Sequence, residues 1–132
     1  DSRVSRGLGD VYKRQHDTEL FFSRFNSFEM QRNAANALLL SPGAVQVYYG
    51  DEVGRDLGPY ADDFHQGTRS DMLWELSKER QQLLKHWQTL GQFRQSHPAI
   101  GAGVHEEIGN NSAYVFSRSL EGDTVVVGFV GK

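Results

Sequence analysis

Three short segments hold the residues that could do chemistry. His16-Asp17-Thr18 sets an imidazole beside a carboxylate. An isolated pair of this kind is common as a simple loop hydrogen bond. The run from Pro42-Gly43 to Tyr48-Tyr49-Gly50-Asp51-Glu52 couples a helix stop, a strand pattern and an acidic turn. In a barrel the C-terminal end of a strand faces the active site. Composition alone reads Asp51 and Glu52 as the start of a solvated loop. The third segment, Gln66-Gly67-Thr68-Arg69-Ser70-Asp71-Met72-Leu73-Trp74, brings an arginine, a carboxylate and an aromatic face close together. Sugars are held by forked polar groups and flat apolar faces. Arg69 can donate a fork of hydrogen bonds to vicinal hydroxyls, or to Asp71 as a pin for the loop. The two-residue spacing favours the pin. His65, His86, His97 and His105 have no metal-ligand spacing and read as surface or cap residues.

The elements that must position these groups follow from periodicity. A helix is expected from Asn26, which can cap it, with Glu29 three positions on and Phe25 and Met30 at the staple positions. Phe28, Ala34, Ala35, Leu38 and Leu39 recur at helical spacing, and Pro42-Gly43 ends the run. Val45, Val47 and Tyr49 alternate with Gln46 and Tyr48, which predicts a strand over Ala44–Tyr49. Asp51–Trp74 has no period, and a loop this long inside a domain is usually functional. A second helix is expected over Leu76–Ser96, with Leu83, Leu84, Trp87, Leu90 and Phe93 as its apolar stripe. His97-Pro98 ends it. Three strands then follow at Val104–Ile108, Ser112–Ser117 and Thr124–Val130, separated by hairpin-type residues.

Composition removes several function classes. A net charge of −3 lacks the basic footprint of a nucleic-acid binder. No stretch reaches the roughly 18 apolar residues of a membrane helix. There is no cysteine, so neither a disulfide framework nor a thiolate metal site is available. The 38% hydrophobic content is that of a folding chain rather than a disordered one. Asp1–Gln15 is different: DSRVSRGLGDVYKRQ has no periodicity and no apolar signal-peptide region, and DVYKRQ reads like a translated sequencing adapter. It is expected to be a non-native leader, with the meaningful sequence starting at His16. The absence of a closing element at Lys132 suggests truncation there as well.

The combination of His16-Asp17-Thr18, a helix, LLLSPGAVQVYYGDE and the QGTRSDMLW loop resembles the α-amylase family of glycoside hydrolases (family 13). The stretch HWQTLGQFRQSHPAIGAG, His86 to Gly103, is similar to the bacterial periplasmic branch. One departure is Val45, where the family commonly has proline. The resemblance implies an α/β fold: residues 16–98 as the C-terminal part of a (β/α)8 barrel, and residues 99–132 as the first strands of an antiparallel β-sandwich domain. It implies that Asp17 is a catalytic carboxylate stabilising the transition state and that His16 binds sugar beside it. Arg69 and Asp71 are then candidate substrate-binding residues. The family's nucleophile and acid/base lie on earlier strands, so this chain would carry one catalytic carboxylate of three and be inactive alone. The implied activity is retaining hydrolysis of α-1,4-glucosidic bonds in starch, glycogen or maltodextrins. α-Glucosidase, cyclomaltodextrinase, glucosyltransferase and a non-catalytic carbohydrate-binding or transporter-accessory protein are the alternatives. The implied partner is an α-glucan or maltooligosaccharide, with no nucleic acid and no membrane. The implied location is periplasmic or secreted. No cofactor is evident, and the resemblance leaves room for calcium in the full-length protein.

Overall fold

Two serines start the long helices. In the computed structural model, which describes residues 20–109 and 113–130, helix α1 spans Phe21–Phe25 and helix α2 spans Phe28–Leu39. Ser27 caps α2: its Oγ accepts from the Met30 amide at 3.3 Å and its carbonyl accepts from Gln31 at 3.1 Å. The expected cap, Asn26, instead ends α1. Its φ of 45° is left-handed, and its amide donates to the Phe22 carbonyl at 2.7 Å. A left-handed residue closes a helix and cannot hold the extended dihedrals of an N-cap, so the start moves by one residue. The staple is absent too: Phe25 and Met30 are exposed, and Phe25 packs on Phe21 with ring centroids 4.6 Å apart.

Short 3-10 turns at Asp51–Val53 and Gly58–Tyr60 and helix α3, Phe64–Gly67, occupy the region expected to be aperiodic. Helix α4 spans Lys78–Ser96, starting two residues later than expected because Ser77 caps it. Leu83 and Trp87 are buried, Leu84 and Leu90 half-buried, and Phe93 exposed. Helix α5 is Ala99–Ala102. Strands β1 (Val104–Glu107), β2 (Ala113–Leu120) and β3 (Asp123–Val130) form an antiparallel sheet in the order β1-β2-β3. Glu121 and Gly122 both have positive φ, as a two-residue hairpin requires when it matches the strand twist.

Ala44–Tyr49 departs from expectation. It forms no strand; residues 44–48 are irregular. Alternation supplies a face, but a strand exists only when a neighbour takes up its amides and carbonyls. Among the described residues the only sheet is β1-β2-β3.

Contacts divide the chain into two units. One comprises the described residues before Thr89 other than Leu39–Val45. Its buried apolar side chains include Leu20, Phe22, Ala35, Leu38, Val53, Leu83 and Trp87. Asn36 Oδ1 and His86 Nε2 meet at 2.8 Å, joining α2 to α4. The other unit comprises Leu39–Val45 and the described part of Thr89–Lys132. There Ile100, Phe116, Val125 and Val127 form a core, with Leu40, Tyr114 and Phe129 packed on it. Arg118, 6% exposed, donates to the carbonyls of Ala99, Ile100 and Gly101, which satisfies the open end of α5. Asp123 accepts from His97 Nδ1 at 2.7 Å and from the Ala99 amide at 3.1 Å.

Two outcomes follow from this packing. Trp87→Ala should destabilise the protein by about 3–5 kcal/mol, the usual cost of deleting a buried aromatic ring, read from the shift in denaturant midpoint. The His97 hydrogen bond, and next the Ala99 amide, hold the Asp123 carboxyl below its ordinary pKa. A depressed carboxylate pKa contributes stability above the unfolded value, about 3.9, and loses it as pH falls through the folded value. Asp123→Asn should therefore lower the melting temperature at neutral pH and shrink its decline below about pH 4. An unaltered acid limb in a pH series of melting curves would show that Asp123 does not drive it.

Candidate functional site

The acidic turn after Tyr48-Tyr49 is built around an arginine. Gly50 adopts φ 90° and lets the chain double back, so that Arg55 N donates to the Gly50 carbonyl at 2.8 Å. A Cβ on Gly50 would stand 2.5 Å from Arg55 Nε, so only glycine admits the side chain there. Asp51 is buried, and its carbonyl accepts from Gln31 Nε2 at 2.7 Å. Gln31 occupies the inward stripe of α2, where periodicity would place an apolar residue. Glu52 folds its carboxylate back onto the Gly50 amide at 2.8 Å. Asp51 and Glu52 thus hold the turn together rather than opening a solvated loop.

Arg55 is 1% exposed. Its Nε donates to Tyr49 O at 3.3 Å, and its Nη1 to Gly67 O and Ser70 O at 3.2 Å each and to Ser70 Oγ at 2.6 Å. Nη2 donates to Thr68 O at 3.0 Å. The guanidinium carbon lies 4.1 Å from the centre of the Tyr49 ring and 5.7 Å from that of Tyr48. Both tyrosines also reach the same loop: Tyr48 OH donates to Thr68 O and Tyr49 OH to Ser70 O, each at 2.8 Å. Burial pushes the Tyr48 phenol above its ordinary pKa; Tyr49 acts in the same direction and Arg55 opposes it. Tyr48 therefore remains a neutral donor well beyond physiological pH.

The loop Gly67–Ser70 is pinned, and Arg55 with the two tyrosines does it. Sequence reasoning passed over Arg55 because it sits in an aperiodic stretch, where no period marks a residue as inward. The one available signal was Gly50, five residues before it. Arg69 stands on the exposed side of the loop and donates from Nη1 to His65 O at 3.0 Å. It lines an open cavity of about 370 Å³ with Asp63, His65 and Gln66. Asp71 is exposed, and Trp74 is 85% exposed. A second open cavity, of about 470 Å³, is lined by Phe22, Ser23, Asn26, Asp56, Leu57, Gly58 and Ala61. Arg80 borders this region. It donates to Val53 O at 3.0 Å and to Gly54 O, and it pairs with Asp56 at 3.5 Å. His16 and Asp17 lie outside the described residues. Among the described residues, no three His, Asp or Glu side chains gather as a metal-binding group, and no helix is long and apolar enough to cross a membrane.

No protein-family model matches the chain. Individual proteins do. The chain is 44% identical over 122 residues to the periplasmic α-amylase of Escherichia coli (strain K12), an alignment covering 92% of this chain and 17% of that protein. It is 32% identical over 88 residues to a cyclomaltodextrinase of a Bacillus species, covering 64% of this chain and 15% of that protein. The chain thus spans less than a fifth of the length of either relative. Among solved structures, AmyP in complex with maltose superposes with a TM-score of 0.64 at 22% identity, over 75% of this chain and 23% of that one. At that identity the likeness speaks for the fold: helices and a loop from the C-terminal part of a (β/α)8 barrel, followed by the first strands of an antiparallel β-domain. On the 44% identity across 92% of its length, the chain belongs, as a fragment, to the α-amylase family of glycoside hydrolases.

Proposed function

We propose that this chain is the closing part of the catalytic barrel, residues 16–98, and the opening of the β-domain, residues 99–132, of a retaining glycoside hydrolase that cleaves α-1,4-glucosidic bonds in starch, glycogen or maltodextrins. The observation that carries this reading is the 44% identity to a periplasmic α-amylase across 92% of the chain. A retaining glycosidase needs a nucleophile and an acid/base roughly 5–5.5 Å apart around an oxocarbenium-like transition state. In this reading both belong to earlier strands of the longer protein. Asp17 is the further carboxylate, which hydrogen-bonds the distorted sugar ring. Such a bond speeds the reaction only if it is stronger in the transition state than in the ground state. His16 orients the ring beside it. The isolated chain is then inactive.

Arg69 and Asp71 belong to the substrate side of the same loop. The open cavity beside Arg69 supports this, since its lining of Asp63, His65 and Gln66 is rich in donors and acceptors suited to sugar hydroxyls. The maltose bound by the structural neighbour is in keeping with an α-glucan as ligand. The similarity to a cyclomaltodextrinase favours a second reading, in which the preferred substrate is a cyclic or short maltodextrin. A periplasmic or secreted location accords with the name of the Escherichia coli relative. No cofactor is evident in this reading, and calcium in the full-length protein rests on the family resemblance alone.

In the full-length protein, Asp17→Asn should lower kcat by about two or more orders of magnitude, the scale of a lost transition-state contact. Near-normal turnover of maltohexaose by that variant would remove Asp17 from the catalytic set. Arg69→Ala should raise KM for oligosaccharides about tenfold, while the loss of its exposed hydrogen bond to His65 O should lower stability by only about 1 kcal/mol. A lowered melting temperature with normal KM would assign Arg69 to the fold instead.

A further inference from the structure

Arg55 is 1% exposed, and among the described residues no carboxylate lies within ion-pairing distance. Its partners are four main-chain carbonyls, one serine hydroxyl and the faces of two tyrosines. Burying a charge without a counter-charge is costly unless each donor is met. Here the cost is offset by acceptors drawn almost wholly from one peptide stretch, Gly67, Thr68 and Ser70. Those acceptors flank Arg69 on both sides.

We propose that Arg55 is a positioning residue for substrate: by gripping the peptides around Arg69 from beneath, it sets the direction in which Arg69 and Asp71 face the sugar. This rests on the reading of the Arg69 loop as a substrate-binding segment. The geometry is suited to arginine alone. A planar fork reaches several carbonyls at once, whereas a lysine ammonium is a single point of charge with a different span. Gly50, which leaves the room for Arg55 beneath Tyr49, belongs to the same device. The grip acts on main-chain atoms, so it fixes the path of the loop whatever side chain occupies position 69.

The test uses the full-length protein carrying Arg55→Lys, with Ser70→Ala as a milder variant that removes only the hydroxyl acceptor. Two readouts are taken. Trypsin cleavage after Arg69 reports whether the loop is held, because a protease needs the local chain to open. KM and kcat for maltohexaose report whether holding it serves substrate. Arg55→Lys should speed cleavage after Arg69 about tenfold relative to other tryptic sites, and raise KM about tenfold with a smaller change in kcat. Ser70→Ala should move both in the same direction by less, and it carries the comparison if Arg55→Lys does not fold. Unchanged cleavage in the folded variants would overturn the proposal. Faster cleavage with unchanged KM would overturn its substrate half. No maltohexaose turnover by the unsubstituted full-length protein would sink the glycosidase reading, while faster cleavage would still support the grip.

Discussion

Main-chain carbonyls outside regular structure need donors, and most of the irregular structure in this chain depends on where those donors come from. Water can serve a carbonyl at the surface. A buried carbonyl must find a donor from the protein, and leaving it unmet costs about 1–3 kcal/mol. Arg55 meets this need at four carbonyls from one side chain, those of Tyr49, Gly67, Thr68 and Ser70. The loop can then be long, rich in glycine and aspartate, and still have a defined path.

The same solution recurs within each unit. Arg80 serves the carbonyls of Val53 and Gly54 at the end of the 3-10 turn, with its guanidinium over the Phe22 and Phe28 rings. Arg94 donates to Leu39, Ser41 and Gly43, where the chain leaves α2 and has no helical partner for its last carbonyls. Arg118 does the same for α5, from a position in the middle of β2. Each of these arginines comes from an element far along the sequence from the carbonyls it serves. Lysine could match the charge but not the forked reach. These four arginines fasten loops and helix ends through main-chain carbonyls.

In the proposed reading this segment binds sugar, and a binding loop gains from being held at its base before ligand arrives. Tyr48, Tyr49 and Arg55 grip the inner carbonyls of the Gly67–Ser70 segment. Arg69 is left on the exposed side, lining an open cavity with Asp63, His65 and Gln66. Preorganising a binding group lowers the ordering cost when ligand arrives. Chemistry in the proposed enzyme would centre on Asp17 and on carboxylates from elsewhere in the longer protein, with this segment shaping how the glucan is held.

Local signals in the sequence were enough for the elements that satisfy their own backbone. The two long helices are set by apolar spacing and end signals, and serine caps moved their starts by only a residue or two. The β2–β3 hairpin was legible from Glu121-Gly122-Asp123, whose glycine suits the positive φ of a tight turn, while pairing carried β2 on to Leu120 and drew Asp123 into β3. The family was legible too, since its motifs are strings of adjacent residues. What tertiary structure alone decided is where partners lie across the chain. Val45–Tyr49 alternates like a strand, yet with no neighbouring strand among the described residues it pairs with nothing and stays irregular. Asp51 and Glu52 read as solvated, and packing turned them inward to close a turn. Arg55 carried no local signal, because its acceptors are 12 to 15 residues away on Gly67, Thr68 and Ser70. Periodicity reports on neighbours along a helix or strand; a side chain that serves distant carbonyls leaves no period to read.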